Sequence, residues 1–148
     1  MLGQVEQIRN QGVFYSPLSG DRKLPTCATR DIATVAAGLL LDPFWTGQDT
    51  VSVLGPEDLS CNDMARIMSE VLDRPIRFQQ VSADSFESTL IEGGLGMAMV
   101  QGMVDMMVAK NEGMDNTEPR TPESTTPTSF REWCEEELKP AVSKRIVR

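Results

Sequence analysis

Residues 24–43 read LPTCATRDIATVAAGLLLDP and are the most strongly patterned part of this chain of 148 residues. Apolar side chains recur there with the spacing of one helical face, at Ile32, Val35, Ala36, Leu39 and Leu40. A carboxylate in the first helical turn is stabilising by roughly 0.5–2 kcal/mol, since it accepts N–H bonds and faces the positive end of the dipole. We therefore interpret Asp31 as part of the helix start and Arg30 as a surface side chain, rather than as a catalytic pair.

Extended segments flank this helix. Residues 13–17 (VFYSP) and 50–54 (TVSVL) are rich in β-branched and aromatic residues, which is typical of strands. With the helix between them, they predict a parallel pair joined by a right-handed crossover. Residues 76–81 (IRFQQV) alternate between apolar and polar, as a half-buried strand does. The sequence therefore predicts an α/β fold with about three strands.

Helix signals follow each of the later strands. Ser60 and Asp63 have the spacing of a capping box, and Pro75 closes the helix that they begin. Ser82 is positioned to cap a further short helix, which Gly93 ends. These signals predict helices after residues 50–54 and after residues 76–81.

Methionines dominate residues 95–110, LGMAMVQGMVDMMVAK. A helix that is apolar around most of its circumference is either a core helix or an adaptable wall of a pocket or partner surface, and both interpretations stay open. Residues 111–128 are rich in Thr, Pro and Glu and predict a loop. Ser129 and Glu132 have capping-box spacing and predict a terminal helix over residues 129–138.

The charge balance excludes several classes of partner. The chain has 22 acidic and 14 basic residues, a net charge of −8, so its surface repels nucleic acids and anionic membranes. No apolar run approaches the roughly 20 residues that span a bilayer, and the first residues lack the pattern of a secretory signal. We expect a cytoplasmic protein that binds neither nucleic acid nor membrane.

Histidine is absent, which removes the commonest general base and metal ligand. The cysteines Cys27, Cys61 and Cys134 are odd in number and far apart, and none belongs to a CxxC motif. A disulfide framework and a zinc site are therefore not expected. We interpret all three cysteines as small apolar residues.

Four segments carry a family resemblance: GVFYSPL (12–18), ATRDIATVAAGLLLDP (28–43), VSVLGPEDLSCNDMARIMSEVLDRPIRFQQV (51–81) and TPTSFREWCEEELKP (126–140). In this order they are similar to the NmrA-like branch of the atypical short-chain dehydrogenase/reductases, in the NAD(P)-binding Rossmann superfamily. The resemblance implies the C-terminal half of such a protein. Residues 1–81 would then close a truncated Rossmann-like unit, and residues 82–148 would form a mostly helical substrate-side subdomain.

The cofactor-binding motifs of that superfamily are missing from this sequence. No strand pattern near the start leads into a Gly-rich turn of the kind that holds a dinucleotide pyrophosphate. The glycine-rich run from Gly93 to Gly102 follows a predicted helix, and Tyr15, the single tyrosine, has no lysine four residues later. We expect no cofactor on this chain alone, and NAD(P) only where a missing N-terminal half completes the site.

Candidate site residues follow from the rule that ligands of open α/β sheets bind beyond the carboxyl ends of strands. The candidate catalytic residues are Tyr15, Glu57 and Asp58; both carboxylates can equally serve the start of the next helix. The predicted ligand-binding residues are Phe14, Tyr15, Ser16, Pro17, Met99, Met103 and Met106. Arg120 is either a solvated loop residue or an anchor for the tail or for a ligand carboxylate. No cofactor-binding or metal-binding residue is predicted.

Three functions remain open from the sequence. The chain is a module that binds a small organic molecule or a partner protein without redox chemistry, or it is the substrate-side part of an NAD(P)-dependent oxidoreductase, or it is a non-redox cyclase or isomerase with a Met-lined pocket. A Gly-rich turn in a neighbouring reading frame would favour the second. We also expect a homodimer or heterodimer that covers the sheet edge, with residues 95–110 at or near the interface.

Overall fold

The computed structural model describes residues 2–144. The helices are α1 (Val5–Gln11), α2 (Thr29–Leu41), α3 (Cys61–Leu72), α4 (Ala83–Glu92), α5 (Met97–Glu112), α6 (Phe130–Trp133) and α7 (Lys139–Ser143). The strands are β1 (Val13–Ser16), β2 (Leu24–Pro25), β3 (Asp58–Leu59) and β4 (Arg77–Gln80). Short 3₁₀ turns occupy Leu2–Gln4 and Met114–Asn116, and a π-helical stretch, Cys134–Leu138, joins α6 to α7.

A small parallel sheet organises the fold, which confirms the predicted α/β class. Strands β1 and β4 pair in parallel, with Val13 opposite Arg77 and Ser16 opposite Gln80. Helix α3 lies in the connection between β1 and β4 and packs against β4. Strands β2 and β3 form a separate two-residue antiparallel pair. The carboxyl ends of β1 and β4 therefore meet at the same edge, where ligands of such sheets bind.

The core lies between α1, α3, the parallel sheet and the C-terminal helices. The largest fully buried side chains are Ile8, Phe14, Met68, Val100, Cys134 and Leu138. The predicted capping box is present: Asp63 N–H donates to Ser60 Oγ, and the Asp63 carboxylate accepts from Ser60 N–H. Ser82 and Ser129 likewise accept bonds from the third residue of their helices. The local signals therefore placed these three helix starts correctly.

Residues 50–54 correct the predicted strand order. Only Leu54 pairs, because its N–H donates to Ser124 O at 2.8 Å and its carbonyl accepts from Thr126 N–H at 2.8 Å. A ladder needs a neighbouring strand, and residues 50–53 have none within the described part of the chain. The prediction that β1 pairs with residues 50–54 was therefore wrong, and β1 pairs with β4 instead.

The methionine-rich helix is not a core helix. Helix α5 packs on α4 along one side, and Val100 is its one fully buried residue. Met97 and Met99 are 63% and 62% exposed, so this part of the apolar circumference faces solvent rather than a second packing layer. The interpretation of α5 as a pocket wall or partner surface stays a prediction. No helix of residues 2–144 is long and apolar enough to cross a membrane.

Candidate functional site

A cleft of about 700 Å³ opens at the carboxyl end of β1. Its wall includes Tyr15 and Ser16 from the strand, Ile32 from α2 and Met64 from α3. Its size falls within the range of about 300–1,000 Å³ that is typical of ligand sites. The cleft lies at the end of β1 that the rule for open α/β sheets indicates, and its use as a ligand site stays a prediction.

The end of β1 is held by a side chain that takes the place of a neighbouring strand. Gln4 Nε2 donates to the Tyr15 carbonyl at 2.9 Å, and the Tyr15 N–H donates to Gln4 Oε1 at 2.7 Å. The Tyr15 hydroxyl lies 3.4 Å from Gln11 Oε1. These bonds fix the strand end, so that Tyr15 meets the cleft in a defined position.

The wall of the cleft is mostly apolar, with a small charged cluster. Met107 of α5 and Met114 just beyond it supply flexible apolar surface, which adapts to ligands of different shape. Lys110 and Asp115 form an ion pair there, and Arg22 Nη2 donates to the Asn111 carbonyl at 2.5 Å. The cations of this cluster are thus engaged by the protein, which favours an apolar ligand over an anionic one.

The predicted ligand-binding residues divide between this cleft and other surroundings. Tyr15 and Ser16 line it, and Phe14 reaches it from the core, where its ring lies 5.3 Å from that of Phe78. Pro17 is buried beside it, and its carbonyl accepts a bond from Asn111 Nδ2 at 3.1 Å.

The methionines that line the cleft differ from the predicted set. Met99, Met103 and Met106 are not among its lining residues, whereas Met107 and Met114 are. Apolar residues lie around most of the circumference of α5, so its pattern does not indicate which side lines the cleft. Met114 lies just beyond the end of α5, where the chain turns at Gly113 in the left-handed αL conformation. Helical periodicity does not predict such a turn.

Glu57 and Asp58 have separate environments. Neither lines the cleft, and Asp58 forms an ion pair with Arg120. Arg120 also donates from Nε to the Gly55 carbonyl at 2.9 Å. Arg120 therefore anchors the loop that precedes the C-terminal helices, which was one of its two interpretations. The catalytic role of Glu57, Asp58 and Tyr15 stays a prediction.

Arg30 and Asp31 form a clamp between α2 and the C-terminal segment. Asp31 is buried and accepts bonds from Thr128 N–H (3.0 Å) and Thr128 Oγ1 (2.9 Å). Arg30 pairs with Glu132 at 3.5 Å and with Glu136. Asp31 therefore caps Thr128 rather than its own helix, whose N-cap Ala28 has no side-chain bond. Arg30 is likewise a partner in ion pairs, not merely a surface side chain.

The bonds of the clamp control the ionisation of Asp31. Burial alone raises the pKa of this carboxyl, but the bonds from Thr128, the nearby Thr126 hydroxyl and the charge of Arg30 outweigh burial. The pKa of Asp31 therefore lies below its ordinary value, and the carboxylate is charged at neutral pH. This places the charge in a structural clamp rather than in the cleft.

The cysteines differ in their surroundings. Burial raises the pKa of the Cys61 thiol to about 11 and that of Cys134 to about 12, so both remain protonated at neutral pH. Cys27 is half-buried and lines the cleft beside Thr26. No group of three or more potential metal ligands occurs among residues 2–144. The run Gly93–Gly96 joins two helices, α4 and α5, rather than a strand and a helix.

Comparison with solved structures identifies the fold. The chain superposes on the Citrobacter sp. triphenylmethane reductase, whose structure was solved in complex with NADP(H), with a TM-score of 0.69 and 17% sequence identity. The superposition covers 95% of this chain and 48% of the reductase chain. At this identity the comparison shows the fold, which is that of a Rossmann-like reductase.

Curated relatives agree with that comparison. The chain is 32% identical over 107 residues to the NAD(P)H azoreductase of Xenophilus azovorans, covering 72% of this chain and 35% of that enzyme. It is 30% identical over 131 residues to the agroclavine dehydrogenase of Claviceps fusiformis, covering 86% of this chain and 45% of that enzyme. The chain thus spans between a third and a half of the length of these two relatives.

The family itself follows from a match over most of the chain. The profile of the NmrA-like family matches residues 2–135, which include the parallel sheet, the cleft and all residues of the clamp except Glu136. The resemblance seen in the sequence covers the same ordered segments. The chain therefore belongs to the NmrA-like family.

Proposed function

We propose that this chain is the substrate-side portion of an NAD(P)H-dependent reductase that acts on planar, largely apolar organic molecules. The cleft at the end of β1 would hold the substrate. The dinucleotide would be held by a further α/β unit that packs against α2 and residues 50–53. Two of the relatives described above are named for the reduction of azo and triphenylmethane compounds, which supports this class of substrate.

The observation that carries the proposal is the uncovered apolar face of α2. Leu40 and Leu41 are each 82% exposed, and within residues 2–144 no other helix or strand packs closely along this helix. The clamp secures only its first turn. A helix of 13 residues has marginal stability in water without packing, so this face is built to be covered.

Residues 50–53 support the same conclusion from the backbone. Thr50, Val51 and Val53 are β-branched, yet among residues 2–144 only the adjacent Leu54 pairs with the backbone of another segment. A segment of strand-like composition whose backbone has no partner strand is a template for a further strand. A single α/β unit can supply both the strand beside residues 50–53 and the apolar surface over α2. This is the reason to favour a reductase portion over a module that works alone.

Binding of dye molecules tests the substrate site. We expect calorimetry to give micromolar binding of a triphenylmethane or azo dye and no comparable binding of NADPH to this chain alone. Ile32→Glu places a charge on the wall of the cleft and should weaken binding of an uncharged azo dye at least about tenfold, since the bound dye would cover this half-exposed carboxylate, and covering an unpaired charge costs several kcal/mol. Ile91→Glu is a matched control, because Ile32 is 46% exposed, Ile91 is 44% exposed and Ile91 lies outside the cleft.

Three results would count against this proposal. Equal weakening of dye binding by Ile32→Glu and Ile91→Glu would remove the cleft as the site. Micromolar binding of NADPH to the chain alone would place a nucleotide site in these residues and contradict the proposed division of labour. Dye binding without any association with a dinucleotide-binding unit would favour the binding module instead.

A further inference from the structure

A second cavity, of about 320 Å³, shares Thr26 and Cys27 with the cleft but is otherwise lined by different residues. We call it the aromatic pocket; its other lining residues are Ala28, Thr29, Thr128, Ser129, Phe130 and Trp133. It lies where the first turns of α2 and α6 meet. Its volume is at the lower end of the range of ligand sites, about 300–1,000 Å³, and suits one small molecule.

Two stacked rings form one wall of the aromatic pocket. Phe130 and Trp133 are one helical turn apart, with ring centroids 5.6 Å apart and planes inclined by only 18°. Both side chains are partly buried against the core, and the next residue, Cys134, is fully buried. The rings are therefore held by the fold, and they offer a flat apolar surface on which another ring can stack.

Three of the four hydroxyl groups around the pocket take part in hydrogen bonds within the protein. Thr26 Oγ1 donates to the Leu24 carbonyl at 3.2 Å, and Thr128 Oγ1 donates to Asp31 at 2.9 Å. Ser129 Oγ accepts from Glu132 N–H at 3.1 Å. A ligand is therefore recognised here through apolar contact and stacking, rather than through charge or hydrogen bonds.

We propose that the aromatic pocket binds a small planar aromatic molecule of one or two rings, which stacks on the Phe130–Trp133 pair with one edge beside the Cys27 thiol. This site is distinct from the cleft and does not depend on the reductase proposal. Because the two cavities share Thr26 and Cys27, a molecule in the aromatic pocket contacts the same wall as a substrate in the cleft.

Alkylation of Cys27 reports occupancy directly. Cys27 is half-buried whereas Cys61 and Cys134 are buried, so N-ethylmaleimide should modify Cys27 first. We expect saturating 2-naphthol to slow this reaction at least fivefold, as followed by peptide mass spectrometry. Decahydro-2-naphthol has a similar size but no aromatic ring, and it should give less than half of that protection.

Variants separate the two cavities. Trp133→Leu should abolish the protection of Cys27, while Trp45→Leu, at an exposed indole outside the pocket, should retain it. Thr29→Trp fills the pocket from an exposed position and should also abolish it, which keeps the test valid where Trp133→Leu does not fold. Ile32→Glu should leave the protection intact. Protection lost with Ile32→Glu but kept with Trp133→Leu or Thr29→Trp would overturn the proposal, as would equal protection by the saturated compound.

Discussion

Asp31→Ala tests the clamp that holds α2. The carboxylate accepts two bonds from Thr128, at 3.0 and 2.9 Å, in a buried position. A hydrogen bond to a charged group contributes about 1.5–3 kcal/mol, and truncation also leaves the Thr128 donors unpaired. Some of this loss is recovered when water enters, so we expect the free energy of unfolding to fall by about 2–4 kcal/mol.

Asp84→Ala is the matched control for this prediction. Asp84 also lies in the first turn of a helix, α4, but is exposed, so its replacement removes only the interaction with the helix dipole, about 0.3–1 kcal/mol. Urea denaturation followed by circular dichroism gives both values. Hydrogen exchange should also accelerate along α2 in Asp31→Ala and not in Asp84→Ala. Equal free-energy losses for the two variants would refute the clamp.

The difference in unfolding free energy between the natural chain and Asp31→Ala depends on pH, and the direction of this dependence follows from the pKa shift of Asp31. Because the pKa of Asp31 is lowered in the folded protein, its charge stabilises the fold fully above the unfolded pKa of about 3.9. That contribution disappears as the pH falls through the folded pKa. The difference in unfolding free energy between the natural chain and Asp31→Ala should therefore narrow below about pH 4. A gap that is constant from neutral to acidic pH would contradict the assignment of charge to the clamp.

Four further variants follow from local geometry. Gly55→Ala should lower the free energy of unfolding by about 1–3 kcal/mol or more, since a Cβ there overlaps the Thr26 carbonyl. Gly38→Ala lies in an open stretch of α2 and should raise the free energy of unfolding by about 0.5–1 kcal/mol. Thermal unfolding compares the two variants. Arg120→Ala removes the bond to Gly55 and the ion pair with Asp58, so limited proteolysis should cut residues 111–128 several times faster. Ser60→Ala breaks the capping box and should cost about 1 kcal/mol in urea denaturation; no change would contradict its role.

Local signals in the sequence predicted more of this fold than long-range pairing did. The capping residues Ser60, Ser82 and Ser129 each mark a helix start, because a cap acts through bonds to residues within one turn. Residues 50–53 have the composition of a strand but pair with no segment among residues 2–144, since pairing depends on a neighbour that composition cannot specify. The same limit applies to Asp31, whose partner Thr128 lies 97 residues away.

The residues of the candidate site were likewise predictable only in part. The end of β1 followed from a general rule of α/β sheets, and Tyr15 and Ser16 line the cleft there. The sequence did not indicate which methionines line the cleft, because a helix that is apolar around most of its circumference carries no signal for its orientation. The exposure of the apolar face of α2 was also not predictable. Leu39, Leu40 and Leu41 are typical of a helix face that packs on a core, and the sequence does not show whether another element covers them.

Hydride transfer by a chimera tests the central proposal most directly. The portion of the Xenophilus azovorans NAD(P)H azoreductase that lies outside the match would be joined to this chain, and NADPH oxidation would be followed with an azo or triphenylmethane dye. The proposal predicts dye-dependent oxidation that Ile32→Glu reduces at least about tenfold and Ile91→Glu leaves unchanged. A chimera that binds both NADPH and the dye but transfers no hydride between them would contradict it.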